Sequence, residues 1–146
     1  MIVSNPTITF SQMLKEDEPI ASPGADVTVL AAETDIVSVN LGALRVGDIL
    51  LINVSFQIVK GGVAGACAFY LRTVLITDPW TMEYFPSWRF PALPAGETWR
   101  HTGCIAVKIL TAPDILGGLK LTADSPGSNS TCTAASTTLK VWQLRQ

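Results

Sequence analysis

The chain is short of charge. Asp, Glu, Lys and Arg make up 15% of its 146 residues and sum to a formal −2, beside 48% apolar residues. A soluble monomer ordinarily carries a more charged exterior, so this balance points to surface covered by partners. The competing account is a large core under a Ser/Thr/Gly-coated exterior. Lys and Arg are nowhere clustered, which argues against nucleic acid as a partner, since phosphate contacts need a basic patch. Long apolar runs are also missing. The densest, Ile49–Leu50–Leu51–Ile52, stops at Asn53, well short of the roughly 18 residues a membrane-spanning helix needs. The opening Met1–Pro6 has no basic region followed by an apolar one, so no secretory leader is expected there.

Catalytic parts are equally scarce. The single histidine, His101, rules out a metal site built on several imidazoles. It would serve a hydrolytic triad only if distant Ser and Asp residues converged on it. The acids Asp35, Asp48, Asp78, Glu83 and Glu97 show no spacing that selects a glycosidase pair. There is no phosphate-binding glycine motif, and Gly61–Gly62 and Gly117–Gly118 read as turns. Cys67, Cys104 and Cys132 form no CxxC pair, and their odd number argues against a disulfide framework. Cys67 and Cys104, flanked by small or apolar neighbours, read as core positions. The sequons at Asn53 and Asn129 are weak three-residue matches and read as chance. The expectation is a protein that is not an enzyme and carries no cofactor or metal.

What the chain has instead is period-two alternation. From Ile49 onward Leu50, Ile52, Val54, Phe56 and Ile58 face one way, and Leu51, Asn53, Ser55, Gln57 and Val59 the other, the signature of a half-buried strand. Ala66–Ile76 repeats it with Cys67, Phe69 and Leu71, and the short Gly-containing link between the two runs predicts a hairpin. Further strands are expected at Val27–Leu30, Ile36–Leu41, Glu97–Leu110, Gly118–Ala123, Thr131–Ala135 and Thr138–Leu144. Turns are expected at Leu44–Asp48, Pro91–Gly96 and Ser125–Asn129. No amphipathic helix is legible. The fold class expected is all-β: a jelly-roll-like β-sandwich of about eight antiparallel strands with an extended N-terminal arm. The arm is residues 1–26 and the sandwich domain residues 27–146.

Three features offer themselves as interaction surfaces. The arm carries the apolar residues Ile2, Val3, Ile8, Phe10, Met13 and Leu14, a short strand at Thr7–Phe10 and the charge run Lys15–Glu18. It suits a tether to a neighbour, or an arm folded back on its own domain. The segment Asp78–Phe90 packs Trp80, Tyr84, Phe85, Trp88 and Phe90 around two prolines, which argue for a loop or an edge. These rings, with Arg89, suit a core plug, a protein anchor or a sugar platform. In the last strand Leu139 and Val141 take the core side. Trp142 and Leu144 then point outward, where they suit a subunit interface around a symmetry axis.

The stretch Leu44–Arg45–Val46–Gly47–Asp48–Ile49–Leu50–Leu51–Ile52–Asn53–Val54 resembles a strand of small phage structural jelly rolls. So does the ending, Gly118–Ser125 followed by Ser136–Leu144. The layout of residues 27–146 is similar to C1q/TNF-like trimer heads and to tailed-phage capsid decoration (cement) proteins. The resemblance implies a homo-trimer seated on the capsid surface of a virion. It would be made in the host cytoplasm, would bind the major capsid protein through the arm, and would stabilise the contacts between capsomers. The collagen-like repeat of C1q proteins is absent, which counts against an extracellular ligand. A receptor- or glycan-binding head of a tail fibre or spike is the alternative, and a small hydrolase stands last.

Overall fold

The computed structural model describes residues 20–74, 80–113 and 117–145. The expected arm residues Ile2, Val3, Ile8, Phe10, Met13 and Leu14 lie outside these, as does the Lys15–Glu18 run. The described residues form eleven strands: β1 (Ile20–Ala21), β2 (Val27–Val29), β3 (Thr34–Gly42), β4 (Ile49–Val59), β5 (Gly65–Thr73), β6 (Thr81–Met82), β7 (Ser87–Leu93), β8 (Thr98–Thr111), β9 (Gly117–Asp124), β10 (Ser130–Cys132) and β11 (Thr138–Leu144). The single helical element among them is a 3-10 turn at Ala134–Ser136. The architecture is all-β, antiparallel at every described pairing, and organised as two sheets in a sandwich-like arrangement.

β4 is the axis of the seven-stranded sheet. Its alternation is the one read from the sequence: Leu50, Ile52, Val54, Phe56 and Ile58 are buried, and the residues between them half-buried. β8 pairs with it along its whole length, from Ile49↔Lys108 to Val59↔Thr98. On its other side β11 pairs with Ile49–Ser55, and β10 with Ile58 and Val59. β1 adds to β11, β2 to β10, and β6 to the far edge of β8. The second sheet has the order β3-β9-β5-β7.

The hairpin expected between β4 and β5 does not form. β4 pairs within the first sheet and β5 with β7 and β9 in the second, so the Gly61–Gly62 connection crosses from one sheet to the other. Both strands have one strongly apolar face, and facing each other across the core buries both at once, which side-by-side pairing in one sheet would not. The inward rings meet there: Phe56 and Phe69 stack with centroids 3.7 Å apart. Leu119, Leu121, Leu139 and Val141 complete the same core.

Local chemistry shapes the ends of the strands. The turn before β4 closes with Asp48 N donating to Arg45 O at 3.1 Å, and Gly47 takes φ +90°, a conformation an L side chain resists. Gly117 and Gly118 lie within β9, not in the turn expected of them. A Cβ on Gly117 would run into the Leu44 side chain, and one on Gly118 would sit 3.1 Å from Val74 Cβ. Strand β9 uses glycine there for close packing. β7 likewise runs on through Pro91 to Leu93 and shortens the expected turn to Pro94–Glu97, where Glu97 N reaches Pro94 O at 3.2 Å. Proline is tolerated because β7 is an edge strand. The strand expected at Thr131–Ala135 is the three-residue β10 and the 3-10 turn that follows it.

Candidate interaction surfaces

The two outer faces of the sandwich differ in chemistry. Across β3, β9 and β5 the outer face is ionic. Arg72 holds Glu33 by two bonds of 2.9 Å, Lys120 reaches Asp35 at 2.9 Å, and Tyr70 OH donates to Asp124 at 2.8 Å. Thr122 Oγ1 donates to Glu33 as well. The Arg72 bond draws the Glu33 carboxyl down to about 2. Two carboxylate oxygens meeting the planar guanidinium fork fix both partners in orientation.

The outer face of the seven-stranded sheet is different. Register sets Trp142, Leu51 and Ala106 side by side in one row, and Lys140, Asn53 and Cys104 in the next. The outward positions of β4, β8 and β11 carry Arg100, Lys108 and Lys140 but no acid. Lys140 Nζ lies 4.5 Å from the centroid of the Trp142 ring, a cation–π contact that leaves the half-buried indole partly covered by its own chain. Leu110, on the same side of β8, is 48% exposed. From the far edge Tyr84 reaches in and donates its hydroxyl to Ala106 O at 3.3 Å.

The aromatic segment divides into parts with different surroundings. Trp80 is 1% exposed and belongs to the core, with its indole nitrogen unpartnered. Of the three roles considered, it fills that of core plug. Trp88 lies on β7, half-buried, with its ring edge-on to Phe56 at 6.0 Å. Tyr84 and Phe85 are 48% and 43% exposed, and Phe90 and the neighbouring Arg89 are also exposed. Leu144 does not offer itself outward as expected. It pairs with Ile49 at the end of β11 and is 5% exposed, covered within the chain. Cys104, expected in the core, is exposed; Cys67 and Cys132 are buried, and all three thiols are free. The reason is strand parity: Cys104 shares its side of β8 with Arg100, Thr102 and Lys108.

His101 faces the interior, its ring 5.3 Å from that of Phe56 and 5.4 Å from that of Trp88, and its Nε2 has no hydrogen-bond partner. No triad is assembled around it among the described residues. A polar depression of about 240 Å³ is lined by Ser55, Phe56, Gln57, Arg100, His101, Thr102 and Ser136, with no carboxylate. No cluster of three or more His, Cys, Asp or Glu side chains suited to a metal occurs among the described residues. No helix among them is long and apolar enough to cross a membrane.

Two residues escaped the sequence reading. Leu51 stands on the polar parity of β4, and an unbroken apolar residue on that side was a legible signal. The buried Lys60, described below, had no signal, since an isolated lysine at a strand end is ordinarily solvated. Neither the models of known protein families nor the curated proteins contain a match to this chain.

Proposed function

We propose that the chain is a non-enzymatic virion structural protein, a capsid decoration or cement protein that works as a homo-trimer of jelly rolls on the outer capsid surface. The observation that carries this reading is the row Trp142–Leu51–Ala106, flanked by the exposed Leu110 and Tyr84. It is a surface of apolar and small groups on a chain whose opposite face is ionic. Covering such a row stabilises by about 25 cal/mol per Å² of apolar area, less the cost of association. The jelly-roll assignment is supported by strand order. With β2, β6 and β10 set aside, the strands run β1-β11-β4-β8 in one sheet and β3-β9-β5-β7 in the other, the interleaving that two Greek keys produce. The capsid assignment rests on the similarity of layout to decoration proteins and on the apolar arm residues before β1.

Native mass by light scattering tests the assembly. A mass that is a multiple of three chains, falling to a smaller species in the Leu51→Arg variant with its fold intact, is the result expected. A wild-type protein that stays a monomer at high concentration would overturn the trimer. Removal of residues 1–19 is then expected to lower occupancy on capsids while the sandwich remains folded.

A receptor- or glycan-binding head is the second reading, favoured by the exposed rings of Tyr84, Phe85 and Phe90. With Trp80 in the core, these rings would have to provide the stacking platform. A glycan array decides it, and binding abolished by Phe85→Ala would favour this reading over the first.

A further inference from the structure

We infer that the free edge of β8 is a two-fold contact, at which two copies of this chain pair their β8 strands antiparallel, centred on Thr102. The inference goes beyond the trimer and uses a different surface, the main chain of Thr98–Ala106.

β8 is the longest of the described strands, and one of its edges is occupied by β4 from Thr98 to Lys108. Among the described residues, the other edge pairs with β6 at Ile109 and Thr111. Glu83 N then donates to Lys108 O at 2.9 Å, Glu83 Oε2 accepts from Lys108 N at 3.3 Å, and Tyr84 OH donates to Ala106 O. These contacts show that the even-numbered residues of β8 direct their N–H and C=O away from β4. Below Ala106 no described residue takes them. Thr98, Arg100, Thr102 and Cys104 are all exposed. Natural sheets guard a regular edge of this length with bulges, prolines and charges; this stretch has no bulge and no proline, and Arg100 is its one Lys or Arg.

The stretch is complementary to itself. An antiparallel pair centred on Thr102 takes up the open groups of Thr98–Cys104 and extends to Ala106, whose carbonyl already accepts from Tyr84 and offers its second lone pair. Thr102 then lies opposite Thr102 of the second copy, a favourable cross-strand pair. On the inner side the half-buried Trp99 meets Ile105 of the second copy, an aromatic on a β-branched residue. His101 meets Gly103 of the second copy, which has no side chain to obstruct the ring. Arg100 meets Cys104. Centring the pair on Arg100 would set two guanidinium groups against each other, and centring it on Cys104 would set Arg100 against Lys108. Like charges directly opposite are unfavourable, so charge selects the Thr102 register over these two. The contact is isologous and closes after two copies.

Cross-linking in the full chain tests the contact and its register. Residues that exchange both hydrogen bonds lie about 5.5 Å apart at Cα, within the range a disulfide spans. The Thr102→Cys variant carrying Cys104→Ser is expected to form a covalent dimer under copper–phenanthroline. The Thr98→Cys variant in the same background is expected to give none, because its two sulfurs would be roughly 27 Å apart at about 3.4 Å per residue. A Thr102→Cys thiol that labels readily yet never cross-links would overturn the inference, as would equal cross-linking at both positions. In the Leu51→Arg background, Thr102→Pro, whose lost N–H faces away from β4, is expected to keep the fold and to lower the native mass from two chains to one. An unchanged mass in a folded variant would likewise overturn it. Repeating the cross-link with Leu51→Arg separates the two assemblies: the covalent dimer is expected to persist when the trimer face is broken.

Discussion

Lys60 Nζ donates to Ser125 Oγ over 2.8 Å, joining residues 65 positions apart inside the protein. The same nitrogen reaches Pro126 O at 2.9 Å and Ala66 O at 3.4 Å. Ser125 Oγ in turn pairs with Ser130 Oγ at 2.6 Å and donates to Ser128 O at 2.8 Å. One buried side chain at the end of β4 therefore ties the start of β5 to the β9–β10 turn. Lys60→Met keeps the volume and removes the donors from the buried Ser125 hydroxyl and from the two part-buried carbonyls. The expected cost is about 1–2 kcal/mol, read as a lower denaturant midpoint. A loss below about 0.5 kcal/mol would mean that water replaces the amine.

Glu33 governs acid stability on the ionic face. Its carboxyl titrates at about 2 in the folded chain against an ordinary 4.5, chiefly through the Arg72 hydrogen bond. A depressed carboxyl contributes stability above its unfolded value and loses it as pH falls toward the folded one. The Glu33–Arg72 contribution is thus expected to be complete above about pH 4.5 and to fade between 4.5 and 2. Because the pair is partly exposed, the effect is small and salt-sensitive. Melting temperature against pH checks this: Glu33→Gln should flatten that limb and leave the neutral region nearly level.

The three thiols should separate by access. Cys104 is exposed, Cys67 is buried, and burial raises the Cys132 thiol above its ordinary value. An aromatic disulfide reagent is expected to titrate one thiol in the native chain and three after denaturation. Cys104→Ser should abolish the native reaction. Rapid reaction of a second thiol would contradict the packing around Cys67 and Cys132.

Truncations should divide the aromatic segment as its burial does. Trp80→Ala is expected to destabilise by about 3–5 kcal/mol through the cavity it leaves. Phe85→Ser, at an exposed ring, should stay within about 0.5 kcal/mol. If Phe85→Ser instead weakens assembly or ligand binding with stability unchanged, the exposed rings are the working surface.

Much of this architecture was legible because strands write their faces into alternate residues. Leu50 to Ile58, Cys67 to Leu71 and Trp99 to Ile109 all sort by parity, and the same parity, applied strictly, would have placed Cys104 outside. Local composition did less well where a distant element decided the outcome. Gly117 and Gly118 look like a turn until Leu44 and Val74 pack against them. Leu144 looks exposed until the end of its strand is covered.

By itself the sequence determined the all-β class, the inward and outward residues of the long strands and the Ser125–Asn129 turn, since each depends on neighbours in the chain. The tertiary structure alone decided which strands share a sheet. Pairing partners are chosen by burying two apolar faces together, and nothing local to β4 or β5 shows that they face each other instead of lying side by side. It alone placed Trp142, Leu51 and Ala106 in one row, since they come from three strands brought into register by hydrogen bonds. It alone left the Thr98–Cys104 edge of β8 without a strand partner among the described residues, because an edge is a property of the whole sheet and of no segment within it.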